Sequence, residues 1–101
     1  MLKSSTIPII NTKRGEKLKI NDYQGKKNLC GDKIREARRK NNISQFDLAA
    51  RLQIAGVILE RDSISRIEIG TRFVADFELK IFAKVLEVSV EWLLSDALEP
   101  K

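Results

Sequence analysis

From Leu29 onward apolar residues recur at helical spacing, and residues that stop or start helices cut the pattern into short pieces. A first helix is expected from about Gly31 to Asn41, with Ile34, Ala37 and Arg38 on one stripe. Asn41-Asn42 can take the left-handed conformation that ends it. Ser44 suits the N-cap of a second helix, with Asp47 at its third position. Leu48, Ala49 and Leu52 then share the buried side, and Gly56 supplies a stop. A third helix is expected from Glu60–Asp62 to Gly70, buried through Ile64 and Ile67. A fourth opens near Asp76 as its cap and buries some combination of Phe77, Leu79, Ile81, Phe82 and Val85. Ser89 caps a short fifth helix, Val90–Leu94. The class is all-α, and 101 residues supply one modest core.

Residues 1–28 have a different character. They carry seven Lys/Arg over positions 1–27 against only Glu16 and Asp22, with Gly15, Gly25 and two short β-prone runs, Thr6–Ile10 and Lys17–Ile20. This stretch reads as a basic arm, either flexible or a small hairpin that orders against its own domain or a partner. Residues 29–95 form the helical domain and 96–101 a tail. Charge falls along the chain: net +3 over residues 28–72 and −3 over 73–101. Such polarity suits one face for a polyanion and another for a protein.

The missing residue types limit the chemistry. There is no histidine, the usual general base near neutral pH, and Cys30 is the only cysteine. No intrachain disulfide or cysteine-rich metal site can form, so neither catalysis, metal nor cofactor is expected. Cys30 reads as structural, a reactive thiol being the alternative. No segment approaches the ~18 apolar residues of a membrane span, and Ile7-Pro8-Ile9-Ile10 is too short for a signal-peptide core. A cytoplasmic protein is expected.

Four phrases, Gly31-Asp-Lys-Ile-Arg-Glu-Ala-Arg38, Ile43-Ser-Gln-Phe-Asp-Leu-Ala-Ala50, Ile64-Ser-Arg-Ile-Glu-Ile-Gly70 and Leu86-Glu-Val-Ser-Val-Glu-Trp-Leu-Leu94, stand in order with near-family spacing. Residues 29–95 thereby resemble the lambda-repressor/Cro family of helix-turn-helix proteins. The resemblance implies a five-helix domain whose second and third helices form the DNA-binding unit, with the third entering the major groove of double-stranded DNA. With Ile64 and Ile67 buried, Arg61, Asp62, Ser65 and Arg66 face the groove, with Ile69 at the far end. Arg66 matches a base-contacting family position, and its guanidinium fits the acceptors of guanine; phosphate contact is the alternative. Asp62 either caps the third helix or accepts from a cytosine amine.

The resemblance also maps Ser44, Gln45, Thr71 and Arg72 onto positions that hold the DNA backbone, and Arg38 with Glu68 onto a partly buried ion pair. Trp92, Leu93 and Leu94 are candidates for a homodimer contact, Trp92 equally for capping the core against the first helix. The implied function is a transcriptional regulator of repressor type. An antitoxin that clamps a small partner protein, or an adaptor that does not bind DNA, are the alternatives. One departure stands out: eleven residues separate Leu52 from Ile64, where the family commonly has about six. Either a longer loop or an extended second helix must absorb them, with Val57, Ile58 and Leu59 packing inward.

Overall fold

A computed structural model describes Tyr23–Ser95. The proposed hairpin runs at 6–10 and 17–20 and the tail at 96–101 lie outside these residues. Within them the chain forms five helices: α1 (Gly31–Lys40), α2 (Gln45–Ile54), α3 (Arg61–Ile69), α4 (Asp76–Leu86) and α5 (Val90–Leu93). Apart from an isolated bridge between Tyr23 and Lys26, the described residues form no β-strand, and none of their helices is long and apolar enough to cross a membrane.

The first four helices end in the same way. After each, one residue turns left-handed: Asn42 (φ 57°), Gly56 (φ 104°), Gly70 (φ 89°) and Glu87 (φ 59°). The next amide then reaches back to a carbonyl five residues earlier, Ile43 to Arg38, Val57 to Leu52, Thr71 to Arg66 and Val88 to Ala83. These bonds satisfy carbonyls the helix leaves orphaned. At three of the four ends the reaching residue is aliphatic, and Ile43 and Val57 are buried in the core. Each such helix end therefore both stops the helix and sends the chain inward.

At the helix starts, Ser44 and Ser89 accept from the amides of Asp47 and Trp92, each at 3.0 Å. The cap of α4 falls on Ala75 rather than Asp76, which is the first helical residue. Alanine has no acceptor, so only half a capping box forms: Glu78 accepts from the Ala75 amide at 3.0 Å.

The core is built from Ile34, Leu48, Leu52, Ile64, Ile67, Phe82, Leu86 and Leu93, all at most 1% exposed. α3 packs on α1 and α2, while α5 packs on α1 and α4. Phe77, expected as a core candidate, is 62% exposed, because Phe82, Ala83 and Leu86 form the buried side of α4. The lengthened connection is a loop, since α2 stops at Ile54. Val57 and Leu59 turn inward as expected, but Ile58 between them is 78% exposed. Alternation along an extended segment sends its neighbours to one side and Ile58 to the other.

The packed unit also begins earlier than Leu29. Tyr23 and Lys26 pair across a two-residue turn, with Gln24 and Gly25 both at positive φ. The Lys27 amide then donates to the Gly70 carbonyl at 2.8 Å, so the end of the basic segment is seated against the end of α3.

Candidate nucleic-acid interface

α3 has a dry side and a wet side. Ile64, Ile67 and Glu68 are buried, whereas Arg61, Asp62 and Arg66 are exposed, Ser65 is half-buried and Ile69 is 52% exposed. All four groove-facing candidates thus reach the surface of one helix. Asp62 is not the side-chain cap of that helix. The cap position belongs to Glu60, and no side-chain cap bond forms there. Asp62 sits one position inside the first turn, where a carboxylate complements the positive end of the helix dipole. Its nearest cation is Arg61 at 3.9 Å, with both side chains more than half exposed.

The orientation of α3 is set from its buried side. Glu68, with a side chain fully removed from solvent, takes a two-pronged contact from Arg38: Nε to Oε2 at 2.7 Å and Nη2 to Oε1 at 3.1 Å. Arg38 spends its remaining nitrogen on the Ile43 carbonyl at 2.9 Å. Gln45 donates to Glu68 Oε1 at 3.0 Å, and Arg35 Nε approaches the same oxygen at 3.5 Å. One carboxylate therefore joins α1, the turn into α2, the first residue of α2, and α3. Burial pushes the Glu68 pKa up, but the bonds from Arg38, Gln45 and Arg35 and the Arg38 charge outweigh it, leaving the carboxyl below its ordinary range.

The sequence pointed to Arg38 and Glu68 but missed Arg35, although Arg35 lies three residues from Arg38 and so on the same helical side. It also gave Gln45 only a backbone-holding role, whereas its side chain is tied to Glu68. Ser44 is exposed and uses its hydroxyl as a cap acceptor. The opening amides of α2 lie beside it, and a helix start of this kind suits an anion.

Thr71 is exposed, with its amide and hydroxyl both directed to the Arg66 carbonyl. Arg72 is engaged elsewhere. It pairs with Glu78 through two contacts, 3.1 and 3.3 Å, and donates to the Phe73 carbonyl at 2.8 Å. Burial raises the Glu78 pKa, and the Arg72 and Ala75 bonds with the Arg72 charge bring it below its ordinary range. The sequence held no signal for this partner, because Ala75 offers nothing that marks a capping box.

The dimer candidates separate. Leu93 is fully buried in the core and unavailable to a second chain. Trp92 is half-buried, and Lys33 of α1 lies over its ring at 4.8 Å and donates to its carbonyl at 3.3 Å. Lys33 also meets the Ser95 hydroxyl. Trp92 is therefore held against the first helix. Leu94, 44% exposed, is the most exposed member of the trio.

A family model described as helix-turn-helix matches residues 34–93. No curated protein and no solved structure matches the chain. The match spans α2 and α3 together with every partner of Glu68 described above, and it covers more than half of the sequence. The chain belongs to the helix-turn-helix family of the lambda-repressor type, whose members are DNA-binding regulators.

Proposed function

We propose that this protein binds one specific duplex DNA sequence as a homodimer and represses transcription by covering a promoter. The observation that carries the reading is the division of α3: Glu68 is locked on the inside while Arg66 and Arg61 are exposed on the outside. A fixed helix with an exposed guanidinium can place it against guanine O6 and N7, a contact worth about 1–3 kcal/mol of discrimination. Arg61, Asp62 and Ser65 complete the base-reading edge. Ser44, Thr71 and the amides opening α2 hold the backbone, with Arg72 supporting the loop through Glu78 rather than meeting phosphate first. Two copies, in contact through the surface around Leu94, would present two such helices to half-sites about one helical turn apart. The basic residues of 1–27 add attraction for phosphate, and each phosphate neutralised steepens the salt dependence by close to one log–log unit.

Two exposed arginines on this helix favour DNA over an adaptor that avoids it. The test is selection of bound sequences from a random duplex pool, with the wild type and with Arg66→Ala. A palindrome should be enriched by the wild type, and the variant should lose preference at one position in each half-site. Equal recovery of all sequences by the wild type would reject the proposal.

A further inference from the structure

The end of α3 is held by a second device, distinct from the Glu68 network and placed before the first residue of the family match. Asn28 lies just ahead of α1 and uses both ends of its side-chain amide. Nδ2 donates to two carbonyls, Ile67 at 3.0 Å and Arg72 at 2.8 Å. Oδ1 accepts from the Gly31 amide at 2.8 Å, satisfying an orphan donor at the start of α1. The two carbonyls belong to the last turn of α3 and to the loop after Thr71. One partly buried side chain thus fixes the C-terminal end of α3, and the following loop, to α1.

The surroundings leave this junction little slack. A Cβ placed on Gly31 would fall 2.1 Å from the Ile67 carbonyl oxygen, so the start of α1 lies directly against α3. The Lys27 amide bonds the Gly70 carbonyl at 2.8 Å. The Lys26 side chain covers Gly70 so closely that a Cβ there would fall 2.8 Å from Lys26 Cδ. The Glu68 carboxylate sets which side of α3 faces inward, and Asn28 holds the end at which Thr71 leaves it.

We propose that Asn28 is a positioning residue for DNA recognition: by holding the Ile67 and Arg72 carbonyls it keeps α3 and the Thr71 loop at the angle at which Arg66 and Thr71 engage one duplex together. This rests on the proposed DNA-binding function. The amide is the right group for the task. It supplies two donors for two carbonyls and one acceptor for an amide, a combination neither serine nor aspartate provides.

That difference makes the test. Asn28→Ser and Asn28→Asp both keep an acceptor for the Gly31 amide; the aspartate has no donor and the serine only one, so neither can hold the Ile67 and Arg72 carbonyls together. The full-length wild type and both variants are titrated with the selected palindrome and with a scrambled duplex of equal length, and the ratio of the two affinities is compared at one salt concentration. The negative charge of the aspartate weakens binding to both duplexes alike and cancels in the ratio. Thermal melts run in parallel show whether each variant is folded at the assay temperature.

The expected result is a preference for the palindrome that falls about tenfold or more in both variants, the scale of weakening a base-edge contact. A role confined to capping α1 would leave the ratio at its wild-type value. A wild-type ratio in either variant, with a wild type that is itself selective, overturns the inference alone. A wild type with no preference between the duplexes overturns the DNA-binding reading and the inference with it. If one variant melts below the assay temperature, the other decides.

Discussion

Gln45 and Glu68 are joined by a 3.0 Å hydrogen bond from the side-chain amide of one to the carboxylate of the other, so the first residue of α2 is tied to the buried side of α3. The opening of α2 and the helix that carries the exposed Arg66 are therefore referenced to one shared carboxylate. Arg38 supplies the charge that makes burying that carboxylate tolerable, since an ion removed from water needs both a counterion and filled hydrogen-bond sites.

Replacing Glu68 with alanine should leave Arg38 nearly buried without its partner. The expected loss is about 3–5 kcal/mol of folding stability, the range for removing one member of a buried pair. That is a large share of what a domain of this size possesses. Arg35→Ala, which removes a longer contact from a more exposed side chain, should cost far less. Urea denaturation of the three proteins checks the order, and equal midpoints for Glu68→Ala and Arg35→Ala would contradict it.

Acid should weaken the fold through the same carboxylate. The Glu68 and Glu78 values are depressed in the folded state. Their ionised forms therefore stabilise the protein above the unfolded glutamate value of about 4.3, and that contribution disappears as pH falls through the folded values. The chain contains no histidine, so no imidazole titration disturbs stability between about pH 5.5 and 8. Denaturation midpoints measured from pH 7 down to 3 should be flat and then drop. Glu68→Gln should start lower and drop less steeply.

The lengthened loop makes a prediction about neighbours. Leu59 is 8% exposed and Ile58 78%, although both are large aliphatics in one short segment. Leu59→Ala should cost about 2–5 kcal/mol, less if the loop collapses into the space. Ile58→Ala should stay within about 0.5 kcal/mol of the wild type. Thermal melts of both decide whether the loop is seated as described.

This loop also marks where the sequence stopped being readable. Helix order and most helix ends were legible because Asn42, Gly56 and Gly70 favour the left-handed turn and Ser44 and Ser89 favour caps. Glu87 makes the same turn without any such preference, so the end of α4 carried no local signal. Ile58 was expected inside because hydrophobicity alone does not give the register of an extended segment. In the site, Arg38 and Glu68 were legible through the resemblance. Gln45 on Glu68, Arg72 on Glu78 and Asn28 on α3 join residues 23, 6 and up to 44 positions apart, respectively. Contacts of that kind are set by tertiary packing, which periodicity does not encode.

Cys30 should be inert in the native protein. It is 2% exposed, and burial pushes its thiol up to about 11, against a small opposing effect from a backbone hydrogen bond. Because the thiolate is the reactive form, alkylation by iodoacetamide at pH 8 should be slow in buffer and fast in denaturant. In intermediate denaturant the rate should follow the unfolded fraction. Rapid labelling of the native protein would show that the start of α1 opens far more readily than its packing against Ile67 implies.

Asp62 supplies the sharpest distinction between reading bases and merely attracting DNA. Its carboxylate is exposed on the edge that carries Arg66 and makes no cap bond. Close to phosphate it is repulsive, so its cost must be offset by accepting from a cytosine amine if it contributes to recognition at all. Asp62→Asn should therefore tighten binding to a scrambled duplex while reducing discrimination at one position of the selected site. Competition titrations against a panel of single-base variants measure both effects together. A uniform gain on every duplex, with the ranking of the panel unchanged, would remove Asp62 from the proposed base-reading edge and leave Arg61, Ser65 and Arg66 as its candidates.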